Sequence, residues 1–262
     1  MRIARLCCLL LLAGSSLAVQ AKMVHRPVEW TQDGTRFHSV LVYDDAAQAK
    51  RPGLVMVPNW YGVNDAAVKK AEMIAGKDYV ILLADMYGAD VRPTSHAQAQ
   101  AAVKPLYGNR ALMRKRIGVA LEQLKAQAAG TPLDVTKLAA IGFCFGGSAV
   151  LDLARSGADV AAVVSFHGGL ATDDPMLAKH IKARVLAMNG ADDKGTMPDA
   201  DKFMDEMRQS PADWQFVVLG HAVHCFTEVG ENSAGCRYDE RVATRSYRLM
   251  HDWLRAAFAG TP

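Results

Sequence analysis

The sequence predicts an α/β fold with a mostly parallel central sheet and helices on both faces, on three observations. Short apolar runs alternate with stretches of helical periodicity along most of the chain. The runs are rich in Val, Ile, Leu and Ala, as strands must be when helices cover both faces of their sheet. They end on turns bearing Gly, Asn or Asp, the residues that punctuate the passage from strand to helix.

Taken in order, Val28 to Trp30 and Phe37 to Val42 are expected to form an antiparallel pair turning at Asp33-Gly34. Gly53 to Val57 is a short strand entering Pro58-Asn59-Trp60-Tyr61-Gly62. Asn64 suits a helix N-cap and Asp65 its first turn, for a helix running through Ala75. Tyr79 to Leu83 is a buried strand leading into Ala84-Asp85-Met86-Tyr87-Gly88. Arg110 to Ala126 has helical period, with Leu112, Ile117, Ala120, Leu121 and Leu124 on one face. A strand from Leu138 to Ile141 then meets a helix for which Gly147, Ser148, Ala149, Val150, Leu151 and Leu153 are suited. Val160 to Phe166 and Ala183 to Met188 are further strands, the second ending at Asn189-Gly190-Ala191-Asp192-Asp193. A helix carrying Phe203, Met204 and Met207 follows. Trp214 to Leu219 is the last strand, and Arg241 to Phe258 the closing helix. No repeat, low-complexity tract or linker interrupts the series, so residues 22–262 are expected to form a single domain.

The chain has 262 residues, 50% hydrophobic and 22% charged, values of a soluble globular protein. A formal net charge of +3 is too small to argue for nucleic acid or an anionic membrane as partner. Residues 1–21 read as a signal peptide: arginines near Met1, an apolar run from Leu6 to Ala13, and small or polar residues up to Val19-Gln20-Ala21. The apolar run is too short for a membrane anchor. The mature chain is therefore expected to be periplasmic or secreted. Cys7 and Cys8 would leave with the signal, so Cys144, Cys225 and Cys236 remain. An odd count in an oxidising compartment suggests one bridge and one free thiol. Cys225 and Cys236 bracket a short loop and are the disulfide candidates, leaving Cys144 free.

Cys144 lies at the apex of Gly142-Phe143-Cys144-Phe145-Gly146, between an apolar strand and a helix. This spacing makes a sharp turn that exposes the apex side chain and leaves the N–H of Phe145 ready to stabilise an oxyanion. Working residues in open parallel sheets gather at the carboxyl ends of strands. Three candidates stand there in the order Cys144, Asp193, His224, which is the order of nucleophile, acid and histidine in an α/β-hydrolase arrangement. Asp192 is the alternative acid. The second histidine of His221-Ala222-Val223-His224-Cys225 would serve as base. That string lacks a convincing third and fourth metal ligand, and no metal or cofactor is expected. His96, His167 and His251 read as structural or surface residues.

With these residues in view, the chain resembles the dienelactone hydrolase family. The strings that carry the resemblance are Asn59-Trp60-Tyr61-Gly62-Val63-Asn64, Ala84-Asp85-Met86-Tyr87-Gly88, Ile141-Gly142-Phe143-Cys144-Phe145-Gly146-Gly147, Asn189-Gly190-Ala191-Asp192-Asp193 and Ala222-Val223-His224-Cys225-Phe226-Thr227. The resemblance implies an α/β-hydrolase fold and a catalytic triad of Cys144, Asp193 and His224. It also implies an oxyanion site built from the N–H groups of Phe145 and Trp60. Two positions depart from the family pattern. Asn59 stands where well-studied members carry a glutamate that helps activate the thiol. Shortly after the histidine, where they carry a substrate-binding arginine, this chain reads Phe226-Thr227-Glu228, and the charge of Glu228 would repel an anionic substrate. Arg92 is a further candidate contact. Asn59, Tyr61, Tyr87 and Phe226, with Trp60 and Phe145, are expected to line a pocket for a neutral or apolar ester.

The function expected is therefore an exported cysteine hydrolase that cleaves an ester, lactone or thioester through an acyl-enzyme, working as a monomer or weak homo-oligomer. A substrate-binding or scaffold protein on the same fold is the alternative, prompted by Asn59. A thiol redox protein is disfavoured by the absence of Cys-x-x-Cys.

Overall fold

A computed structural model describes residues 22–46 and 49–260. The expected signal peptide lies outside these residues. Eight strands form one sheet: β1 (Met23–Gln32), β2 (Thr35–Asp44), β3 (Arg51–Val57), β4 (Val80–Leu83), β5 (Leu133–Phe143), β6 (Ala162–Phe166), β7 (Arg184–Gly190) and β8 (Trp214–Leu219). Their spatial order is β1-β2-β4-β3-β5-β6-β7-β8. β1 and β2 form an antiparallel hairpin, and β2 runs antiparallel to β4. From β4 to β8 every pairing is parallel. The α/β class read from the alternation of elements is thus the architecture found.

Among the described residues six α-helices accompany the sheet: α1 (Asp65–Ala75), α2 (His96–Tyr107), α3 (Arg110–Ala126), α4 (Phe145–Arg155), α5 (Ala200–Met207) and α6 (Glu240–Ala259). Successive strand residues point to opposite faces, and this alternation divides the core in two. Val55 and Val57 of β3 join Ile117, Leu121 and Leu124 of α3 and Val150 and Leu153 of α4. Leu54 and Met56 of the same strand join Ala71 and Ile74 of α1 and Met250, Trp253 and Leu254 of α6. Caps fix where helices begin. Asn64 accepts from Ala67 N on α1, Asn109 from Leu112 N on α3, and Asp239 from Val242 N on α6.

Arg155, 1% exposed, ties α4 to α5. Its Nε and Nη2 donate to the two Glu206 carboxylate oxygens at 2.7 and 2.8 Å, and Nη1 donates to Asp152 at 3.1 Å. Removing one partner of such a buried pair leaves an uncompensated charge, at a cost of about 3–5 kcal/mol. No helix among the described residues is long and apolar enough to cross a membrane.

Helix α2 has no counterpart among the elements expected from the sequence. Pro105 inside it obscured the period. The available signal was Ser95 followed by Gln98, the first and last residues of a capping box. Ser95 Oγ accepts from Gln98 N, and Gln98 Oε1 accepts from Thr94 N at 2.8 Å.

Candidate active site

The carboxyl ends of β3, β5, β7 and β8 meet at one edge of the sheet, and the candidate residues stand on the turns that leave them. Cys144 adopts φ 54° and ψ −117°, a sparsely populated conformation for a residue with a side chain. The flanking glycines make this turn possible. A Cβ on Gly142 would lie 2.0 Å from the Gly146 carbonyl oxygen, and one on Gly146 would lie 2.1 Å from Val57 O. No larger residue fits either position. The elbow therefore presses against the end of β3 and brings Cys144 beside the Asn59–Gly62 turn.

A second close approach brings the acid to the base. A Cβ on Gly190 would lie 2.3 Å from Ala222 O, so the turn after β7 packs directly on the loop after β8. Asp192 N donates to Ala222 O at 2.9 Å and secures the contact. Asp193 rather than Asp192 then faces the imidazole: His224 Nδ1 lies 2.7 Å from Asp193 Oδ2. On the other side His224 Nε2 lies 3.1 Å from Cys144 Sγ. Asp192 is exposed at the cavity rim.

The electrostatics follow from these contacts. Burial alone would raise Asp193, but bonds from His224, Thr196 Oγ1 (2.7 Å) and Gly195 N (2.9 Å) hold its carboxyl below the ordinary value. Burial likewise pulls His224 down, and Asp193 and Cys144 together more than offset it, raising the imidazole to about 10. At neutral pH the ring is an imidazolium between a carboxylate and a sulfur. His167, fully buried, is 5.0 Å from His224 in an edge-on arrangement. Burial first, and then the nearby His224 and Lys70 charges, push it well below the ordinary histidine value, so it stays neutral.

Cys144, His224 and Asp193 open onto a cavity of about 960 Å³. Asn59, Trp60, His96, Tyr107, Ala234, Gly235 and Cys236 are among its lining residues. Cys225 and Cys236 are joined by a disulfide, and Cys144 is the free cysteine among the described residues. The N–H of Phe145, first residue of α4, has no intrahelical acceptor. The N–H of Trp60 donates to no backbone group among the described residues. A cysteine sulfur beside an imidazolium suits nucleophilic attack on a carbonyl carbon.

Other expected pocket residues stand elsewhere, and Arg92 is a correction. Its Nη1 donates to Gly88 O and Val91 O, both at 2.8 Å, and its Nη2 to the buried Asp85 carboxylate at 3.1 Å. These bonds hold the guanidinium in a different groove. Phe226 is a second correction: it is fully buried and packs edge-on against His167, 4.9 Å away. Tyr87 supports the site from beneath. Its hydroxyl donates to Trp60 O at 3.0 Å and its ring packs against Phe145. Tyr61 lines a neighbouring cavity of about 460 Å³ that shares Asn59, Glu228 and Glu231 with the first. The carboxylate of Glu228 is not an isolated charge, because Lys70 Nζ and Asn59 Nδ2 both donate to it. Lys70, His167 and Tyr107 carried no sequence signal, since their places depend on packing between distant elements.

Comparison with known proteins bears on the family and the fold. A family model described as the dienelactone hydrolase family matches residues 37–258. The solved structure of a dienelactone hydrolase-like promiscuous phosphotriesterase from metagenomic libraries is 37% identical, with a TM-score of 0.83 over 90% of this chain and 99% of that one. An uncharacterized protein of Caenorhabditis elegans is 33% identical over 56% of this chain and 95% of its own length. A Bradyrhizobium protein named as a probable 2-oxo-3-(5-oxofuran-2-ylidene)propanoate lactonase is 26% identical over 77% of this chain and 84% of its own.

Proposed function

The chain belongs to the dienelactone hydrolase family and is a carboxylic ester hydrolase, and from that premise we propose that it works through a Cys144 acyl-enzyme. The Cys144 thiolate attacks the ester carbonyl carbon, and the N–H groups of Phe145 and Trp60 hold the oxyanion. The His224 imidazolium gives its proton to the leaving alcohol as the tetrahedral intermediate collapses to a thioester. Water then attacks that thioester with neutral His224 as base, releasing the acid and regenerating the thiolate–imidazolium pair. Asp193 holds the imidazole throughout. The single observation that carries this reading is the unbroken chain from Cys144 Sγ through His224 to Asp193, at 3.1 and 2.7 Å.

A neutral ester or lactone is the substrate class that suits the cavity. Arg92 is engaged elsewhere, Glu228 is paired with Lys70, and Asp192 and Glu231 among the lining residues leave no excess of cations for an anionic substrate. The lactonase relative from Bradyrhizobium supports a lactone ring as the scissile group, while the propanoate in its name is an anion and lends no support to neutrality. Export is part of the proposal, supported by the sequence of residues 1–21 and by the Cys225–Cys236 bridge, which suits an oxidising compartment. It requires a mature chain beginning at Lys22, and an intact Met1 on protein recovered from its own cell would contradict it. Turnover of p-nitrophenyl esters tests the chemistry. Cys144→Ala is expected to lower kcat/KM by at least about a hundredfold, and undiminished turnover would overturn the assignment.

A further inference from the structure

The Asn59–Gly62 turn is held from three directions, and each contact leaves the Trp60 N–H free. Gly62 N donates to Asn59 O at 2.9 Å and closes the turn. Tyr87 Oη donates to Trp60 O at 3.0 Å and anchors the far side of the Trp60–Tyr61 peptide. The third hold is the Asn59 side chain, whose Oδ1 accepts from Tyr61 N at 3.0 Å. An amide can flip, and a flipped Asn59 would turn two donors toward Tyr61 N and lose that bond. The flip is blocked from outside the turn. Asn59 Nδ2 donates to Glu228 Oε2 at 2.6 Å, and a carboxylate accepts only donors.

Glu228 is itself fixed. Lys70 Nζ donates to its other oxygen, Thr227 Oγ1 donates to that same oxygen at 3.2 Å, and Glu228 N donates to Cys225 O at 2.8 Å. Lys70 reaches it from α1, with its ammonium 4.3 Å from the centroid of Phe143, the residue before Cys144. The side chains of Lys70 and Glu228 are 13% and 11% exposed, so water screens their attraction little.

We propose that Glu228, clamped by Lys70, is a positioning residue that sets the Asn59 amide and through it the oxyanion-binding N–H of Trp60. The proposal rests on the reading of Trp60 as an oxyanion donor. It gives Asn59 and Glu228, the two positions that depart from the family pattern, a shared role. Together they orient a backbone donor, with no proton taken from the thiol. It also explains why a carboxylate is tolerated at the cavity wall, since its charge is spent within the wall.

The test separates oxyanion binding from thiol reactivity. A trifluoromethyl ketone adds to Cys144 as a tetrahedral oxyanion and needs the Trp60 N–H. Alkylation of Cys144 by iodoacetamide needs the thiolate alone. Asn59→Ala and Glu228→Ala are each expected to lower kcat for p-nitrophenyl acetate about tenfold to a hundredfold and weaken the ketone by a like factor, with KM within about threefold. Their iodoacetamide rates should stay within about twofold of the parent, and Glu228→Gln, which keeps one acceptor oxygen, should fall between parent and Glu228→Ala. If Glu228→Ala does not fold, Glu228→Gln and Asn59→Ala together decide the matter. Unchanged kcat and ketone affinity would overturn the proposal, as would iodoacetamide rates that fall in step with kcat. Full activity in Cys144→Ala would instead remove the acyl-enzyme reading beneath it.

Discussion

His224 is the residue on which the chemistry turns, and its protonation makes a pH prediction with a definite sign. Its folded value is raised from 6.5 to about 10, so the imidazolium is the favoured form in the folded protein. The stabilisation it draws from Asp193 and Cys144 is complete below pH 6.5 and is lost as pH rises through about 10. In the proposed mechanism the same proton is the one given to the leaving group. The basic limb of kcat/KM should therefore fall near pH 10, and the C2 proton of His224 should titrate there by NMR. A basic limb near pH 6.5 with the ring titrating beside it would mean that the carboxylate–imidazolium–sulfur arrangement does not form. Neutral His167 cannot substitute. It is buried, with Nε2 2.7 Å from Thr227 Oγ1, and makes no hydrogen bond to Cys144 or Asp193. Sequence order placed Cys144 and His224 at strand ends but left Asp192 and Asp193 open as partners. The packing of Gly190 on Ala222 chose between them, and that contact joins two strand ends with no local sequence signal.

At the scale of elements, the loop after β8 is the part held by a covalent bond. The Cys225–Cys236 disulfide spans a sequence separation of 11 and begins at the residue after His224. Arg237 N also donates to His224 O at 3.0 Å, so the segment that supplies Ala234, Gly235 and Cys236 to the cavity lining is pinned beside the histidine. Reducing this bridge is expected to lower stability by about 3 kcal/mol, the loop-closure entropy of a cross-link of this span. Urea unfolding of the protein with and without a reductant measures the change, and identical midpoints would show that the loop is held by its hydrogen bonds alone. Strands and long helices were legible because alternation and periodicity are local. Helix α2 was not, because Pro105 breaks the pattern, and with it went the contribution of His96 and Tyr107 to the cavity. Arg92 and Phe226 were misplaced for a related reason. Nothing near them in sequence reveals that Asp85 holds the guanidinium or that the ring faces the core.

For the whole molecule, the parallel strands β3 to β8 bring turns from distant parts of the chain to one edge of the sheet, and two faces of packed helices keep those turns in register. The proposed nucleophile, base, acid and oxyanion donors come from four such turns, so in this reading the fold itself assembles the site. The central claim is that hydrolysis passes through a thioester on Cys144. Acid quench during turnover of a slowly deacylating ester, p-nitrophenyl pivalate, followed by peptide mass spectrometry, tests it most directly. A thioester route predicts one pivaloyl group per chain, located on the peptide containing Cys144 and absent after prior alkylation of that thiol. A pivaloyl group on another residue, or undiminished p-nitrophenol release from the alkylated protein, would contradict it.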